Sequence, residues 1–60
     1  MKRVSVPSLV GSPVSVWWDS EFSEYVVKVR GNKDASYHTD DKQDALATAQ
    51  LMRNNQPQPN

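Results

Sequence analysis

Few residues in this sequence are able to carry chemistry. His38 is the only histidine, there is no cysteine, and no serine lies in a recognisable nucleophile motif. Acid–base or covalent catalysis needs a nucleophile and a base held within hydrogen-bond reach, and no such pair is marked here. We therefore interpret His38 as a surface or partly packed side chain, and we expect no catalytic residue and no enzymatic activity.

Three aspartates, Asp40, Asp41 and Asp44, stand close together before an alanine-rich segment. Their spacing lacks the glycine and the terminal glutamate of a calcium loop. The start of a helix favours the same residues, because carboxylates accept hydrogen bonds from free backbone N–H groups and offset the helix dipole. We assign them to helix capping, with Asp40 and Gln43 imitating a capping box. We expect no metal and no small-molecule cofactor.

A more informative combination joins a tryptophan, a valine and two basic residues: Trp17, Val26, Lys28 and Arg30. Alternate residues of a strand point to opposite faces of a sheet, which places these four on one face. The residues predicted to pack against the helix are Val14, Val16, Trp18, Tyr25, Val27 and Val29. Trp18 is thus expected in the core and Trp17 at the surface.

One helix cannot cover both faces of a sheet, so the face with Trp17 is predicted to stay open. Exposed tryptophan with arginine is typical of binding hot spots and of base-stacking platforms. Trp17, Val26, Lys28 and Arg30 are therefore the candidate binding residues. Two alternatives remain, in which the N-terminal segment or a second subunit covers this face.

Three strands should position these residues. Residues 12–18 alternate apolar and polar side chains, and residues 23–30 are rich in β-branched residues. The short segment 19–22 suits a hairpin loop, and residues 31–34 tolerate a second turn into a shorter strand over 35–39. The spacing predicts an antiparallel meander in the strand order 1-2-3.

One helix follows the strands and completes an α+β fold. Its onset is predicted at residue 40 or 41 and its length runs to Arg53, with Ala45, Leu46, Ala49 and Met52 on one face. Val4 and Val6 alternate with Ser5, but Pro7 interrupts, which leaves either a fourth edge strand or an arm at the N-terminus. We predict a single domain over residues 1–54 and a disordered polar tail over 55–60.

Composition narrows the function further. Seven Lys and Arg balance seven Asp and Glu, so the formal net charge is zero. Proteins that function mainly by binding the phosphate backbone of nucleic acids need an excess of basic residues, so the net charge disfavours that class. The chain lacks cysteine, a signal-peptide apolar region and an apolar run long enough for a membrane helix, which favours a mature cytoplasmic protein without membrane contact. In a chain of 60 residues, ordering entropy nearly cancels hydrophobic burial, so we expect a homodimer.

Residues 17–53 resemble two groups of small domains. The resemblance rests on the strand over 25–30, the turn at Gly31, Tyr37, and the capped helix start over 39–45. The first group is the three-strand-plus-helix DNA-binding pattern of tyrosine-integrase arm-binding domains and plant ethylene-response-type domains. The second is a set of small bacterial and phage domains of unknown function.

In those DNA-binding families, basic residues of the sheet face enter the major groove. Lys28, Arg30 and Lys33 match that role, while the acidic residues Glu21, Glu24 and Asp34 depart from it. Our first hypothesis is a non-enzymatic bacterial or phage binding protein that docks its open sheet face on a protein partner or on itself. The alternative is a sequence-specific DNA-binding module that uses the basic sheet face.

Overall fold

The computed structural model describes residues 1–55 and consists of a four-stranded antiparallel sheet packed against one helix. The elements are β1 (Lys2–Val4), a 3-10 turn (Pro7–Leu9), β2 (Val14–Asp19), β3 (Glu24–Val29), β4 (Asn32–Thr39) and α1 (Lys42–Asn55). The spatial order of the strands is β1-β2-β3-β4. The expected α+β meander with a C-terminal helix is confirmed, and the N-terminal residues form a fourth strand at the edge.

The core lies between the sheet and α1, where alternation in β2 and β3 places the valines. Val16 stands opposite Val27, and Val14 opposite Val29, in the register of these two strands. The buried core consists of Leu9, Val14, Val16, Val27, Val29, Ala45 and Ala49. The two alanines have no exposed surface, so the small side chains let the helix approach the sheet closely.

The N-terminal segment packs on the helix side of the sheet. Leu9 is buried beside the helix alanines, and Val6 packs partly against the same core. Ser8 and Gln50 are joined by a side-chain hydrogen bond, which links the 3-10 turn to α1. The alternative in which this segment folds over the opposite face is therefore wrong for Val6 and Leu9, because their apolar side chains complete the core instead.

The turn before β4 is tighter than the predicted turn over residues 31–34. Val29 pairs directly with Asn32, so Arg30 and Gly31 alone reverse the chain. Gly31 has a φ of 81°, a left-handed conformation that glycine adopts without a steric penalty. The strand begins at Asn32 rather than Ala35, and its register shifts before Tyr37 pairs with Val27.

The helix begins at Lys42, one or two residues after the predicted onset at 40 or 41, and of the predicted capping residues Asp41 caps it, not Asp40. The Oδ1 atom of Asp41 accepts hydrogen bonds from the backbone N–H groups of Gln43, at 2.9 Å, and Asp44, at 3.3 Å. Asn55, which was assigned to the tail, is the last residue of α1. The predicted disorder of residues 56–60 falls outside the described residues.

The prediction that Trp18 belongs to the core is wrong. Trp18 lies on the predicted strand face but is half-buried, as is Trp17. The ring of Trp18 packs on that of Tyr25, with centroids 4.8 Å apart. Trp18 stands near the end of β2, beyond the buried valines. Alternation therefore predicted which face of the sheet its side chain points to, but not how deeply that side chain is buried.

Tyr37 ties β4 to the first turn of α1 and makes stability sensitive to alkaline pH. Its hydroxyl donates a hydrogen bond to Oδ2 of Asp44 at 2.6 Å. This bond, reinforced by burial and by the carboxylate charge, raises the pKa of Tyr37 above 10.0. A phenol whose pKa is raised by folding contributes stability that is present below pH 10 and is lost as the pH rises through the folded-state pKa.

We expect Tyr37→Phe to lower the melting temperature at neutral pH and to flatten its decline above pH 10. The measurement is thermal unfolding followed by circular dichroism across this range. The control is Tyr25→Phe, which keeps the bond between Tyr37 and Asp44 and should keep the alkaline decline. An unchanged decline in Tyr37→Phe would show that another group causes it.

Candidate docking face

The surface of the sheet opposite α1 carries one row of side chains across all four strands. The register aligns Arg3 with Trp17, Trp17 with Val26, and Val26 with His38. We call this surface the open face. It consists of that row and of the neighbouring residues on the same face, Ser15, Asp19, Glu24 and Lys28.

Trp17 is held in a defined position at the centre of the open face. Its indole Nε1–H donates a hydrogen bond to Oγ of Ser15 at 2.9 Å. The guanidinium of Arg3 lies 5.9 Å from the ring centroid, and the Lys28 ammonium lies 5.7 Å from it. Both distances are within cation–π range, so the two cations and the hydroxyl order the indole before any partner binds.

Val26, predicted as a binding residue, lies on the open face but is almost completely buried. Its side chain is 1% exposed, although it faces away from the core. A groove of about 360 Å³ runs over it and is lined by Met1, Val26, Lys28, Val29, Asn32, Ser36 and His38. Long neighbouring side chains cover Val26, which makes it the floor of the open face.

Arg30 lies outside the open face, to which Trp17 and Lys28 belong. β3 ends at Val29, and Arg30 is an exposed residue of the following turn. Its backbone N–H donates a hydrogen bond to the carbonyl of Pro13 at 2.8 Å. The structure therefore brings together Trp17, Val26 and Lys28 of the predicted site, and it places Arg30 at the end of the sheet.

Five residues of the open face were missed by sequence analysis: Arg3, Ser15, Asp19, Glu24 and His38. Ser15 and Asp19 could have been found from their alternation with Trp17 in β2. Nδ1 of His38 lies 3.2 Å from Oε2 of Glu24, between β4 and β3. Glu24 could have been found from its alternation with Val26 and Lys28. The positions of Arg3 and His38 on the open face depend on how the edge strands pair with their neighbours, and the sequence does not predict that register.

The charges on the open face are separated along β3. Glu24 lies on one side of Val26 and Lys28 on the other, each two residues away. Asp19 stands opposite Glu24, and its Oδ1 accepts hydrogen bonds from the backbone N–H groups of Glu21 and Phe22. The open face therefore has an acidic end at the β2–β3 turn and a basic half around Trp17.

Residues 1–55 show neither a metal-ion site nor a membrane-spanning helix. No group of three or more His, Asp and Glu side chains in this range is placed to hold a metal ion. Nor is any helix in the same range long and apolar enough to cross a membrane.

Comparison of the chain with known protein families, with curated proteins and with solved structures finds no match. The resemblance to the arm-binding and ethylene-response-type domains therefore stays a prediction. The functional assignment rests on the residues of the open face and their geometry.

Proposed function

We propose that this chain is a non-enzymatic binding module, of bacterial or phage type, that docks its open face on a protein in the cytoplasm. The observation that supports this function best is the ordered indole of Trp17, which lies beside the buried Val26 on a sheet face that the helix does not cover. A rigid aromatic side chain with a flanking arginine is the composition of binding hot spots. It loses little conformational entropy on binding, because it is already held in place.

The mixture of charges favours a protein partner over a nucleic acid. Lys28 and Glu24 lie on the same strand and face, and Asp19 stands beside Glu24. A phosphate backbone would be attracted to the basic half and repelled by the acidic end, whereas a protein surface can match both. The net charge of zero supports the same choice.

DNA binding remains the second candidate because Arg3 and Lys28 flank an aromatic side chain. This arrangement also suits base stacking and phosphate contacts. The exposed Arg30 at the end of β3 would extend the basic region. The two candidates differ in salt dependence, since each phosphate contact releases counterions.

We expect the wild-type protein to bind duplex DNA weakly and with a shallow salt dependence between about 50 mM and about 200 mM salt. The measurement is fluorescence anisotropy with a pool of labelled duplexes, for the wild type and for a Lys28→Ala, Arg30→Ala double variant. Tight binding whose salt slope falls by about one unit per lost contact in the double variant would replace the protein-docking proposal with the DNA one.

Protein docking is tested in parallel by capture from a bacterial lysate on the immobilised chain. Wild type and Leu51→Ala, a change at a 63% exposed helix residue, should retain the same captured protein. The double variant should retain it with slower association, because rim charges mainly affect the encounter rate. Equal capture by a Trp17→Ala variant would contradict docking through the open face.

A further inference from the structure

The open face is complementary to itself, and we propose that the partner docked on it is a second copy of this chain. The inference rests on the proposed function, because it names the occupant of the same surface. Twofold dimers join one patch to an identical patch, so each attractive contact is made twice when the patch carries opposite charges on either side of the axis. Glu24 and Lys28 have this arrangement about Val26.

The position of the twofold axis follows from the strand register. A strand rises about 3.4 Å per residue, so Glu24 and Lys28 lie about 7 Å on either side of Val26. We place the twofold axis in the plane of the interface, along the row through Trp17 and Val26 and perpendicular to the strands. A rotation about this axis exchanges the two ends of the face. Lys28 of one copy then faces Glu24 of the other, and the same contact is repeated across the axis.

The second strand of the face has a matching pattern. The same rotation exchanges Ser15 and Asp19, which stand on either side of Trp17. A hydroxyl of one copy thus faces a carboxylate of the other. An axis parallel to the strands would instead place Glu24 on Glu24 and Lys28 on Lys28, and like charges in an interface are strongly unfavourable. Charge therefore selects the perpendicular axis.

The size of the face indicates a weak dimer. Four strands about 4.8 Å apart give a surface about 15 Å wide and about 20 Å long. This is smaller than the roughly 800 Å² per partner of a stable complex. Sheets that pack face to face lie about 10 Å apart, and an axis along the row brings the two Trp17 rings together. It also places each Arg3 opposite its counterpart, which is one like-charge contact at the edge of the face against two contacts between Lys28 and Glu24.

The test uses two opposite charge reversals, Lys28→Glu and Glu24→Lys, in sedimentation equilibrium at protein concentrations up to about 1 mM. The wild type should dimerise, and each variant alone should dimerise at least about tenfold more weakly. An equimolar mixture of the two should recover the wild-type affinity, because both symmetry-related contacts again join a lysine to a glutamate. Lys42→Glu, the same reversal at an exposed helix residue, should dimerise like the wild type.

Circular dichroism of each variant checks that it is folded, and Lys28→Gln with Glu24→Gln provides a neutral pair if a reversal unfolds the chain. The neutral variants should each weaken the dimer, and their mixture should recover it in part, because the mixed dimer regains one of the two contacts between Lys28 and Glu24. A monomeric wild type, or a mixture no tighter than its components, would overturn the second copy as the occupant. Dimerisation of Lys28→Glu equal to that of the wild type would also overturn it, by indicating a different surface such as the free edge of β4.

The proposed function can fail independently of the dimer. It fails if Trp17→Ala binds every protein partner, including a second copy of the chain, as tightly as the wild type does.

Discussion

Replacing Leu9 with alanine is expected to lower the free energy of unfolding by about 3 kcal/mol. Leu9 is 3% exposed and lies in the buried core with Val14, Ala45 and Ala49. Truncation removes its apolar contacts and leaves a cavity that the fully buried alanines of α1 are too small to fill. A domain of this size is stable by only a few kcal/mol, so the change should leave a large fraction of the molecules unfolded.

Urea unfolding followed by circular dichroism measures this loss, and the next residue provides the control. Val10 is 82% exposed, so Val10→Ala should change the free energy of unfolding by less than about 0.5 kcal/mol. Equal and small effects of the two substitutions would mean that the 3-10 turn does not contribute to the core.

Replacing Trp17 with alanine is expected to weaken docking through the open face by about 2 kcal/mol or more, which is roughly 30-fold in affinity. The substitution removes the ordered ring and with it the contacts to Arg3 and Lys28. Because Trp17 is half-buried, a moderate loss of stability should accompany the loss of binding. Binding must therefore be measured under conditions in which the variant is folded.

Trp18→Ala is the matched control for this experiment. Trp18 is also half-buried and is adjacent to Trp17 in sequence, but it lies on the helix side of the sheet, where it packs on Tyr25. The substitution should lower stability and leave docking unchanged once the folded fraction is accounted for. If Trp18→Ala reduces docking and Trp17→Ala does not, the helix side is the binding surface.

Much of the fold was predictable because successive side chains of β2 and β3 point to opposite faces of the sheet. Val16 and Val27 were assigned to the core face and Trp17 and Lys28 to the other, and the register confirms both assignments. The buried face of the helix was predictable from helical spacing. Ala45 and Ala49, four residues apart, are buried, and Leu51, which lies off that face, is exposed. The first residue of the helix was not predictable, because Asp40 and Asp41 both offer a capping carboxylate and only the backbone geometry selects between them.

The remaining features depend on contacts between segments distant in sequence. Leu9 lies in a 3-10 turn, which has no period-2 or helical pattern to mark it as core. Val26 is buried by neighbours from other strands, and alternation predicts only which face it points to. Arg3 and His38 join the open face through the pairing of β1 with β2 and of β4 with β3.

The two indole N–H signals in nuclear magnetic resonance spectra test the claim that the open face is the docking surface. Trp17 and Trp18 report on opposite faces of the sheet, and Nε1–H of Trp17 is hydrogen-bonded to Ser15. As the protein concentration rises, or as a captured partner is added, the Trp17 signal should shift while the Trp18 signal stays in place. A shift of the Trp18 signal alone, or no shift of either when binding is complete, would contradict the claim.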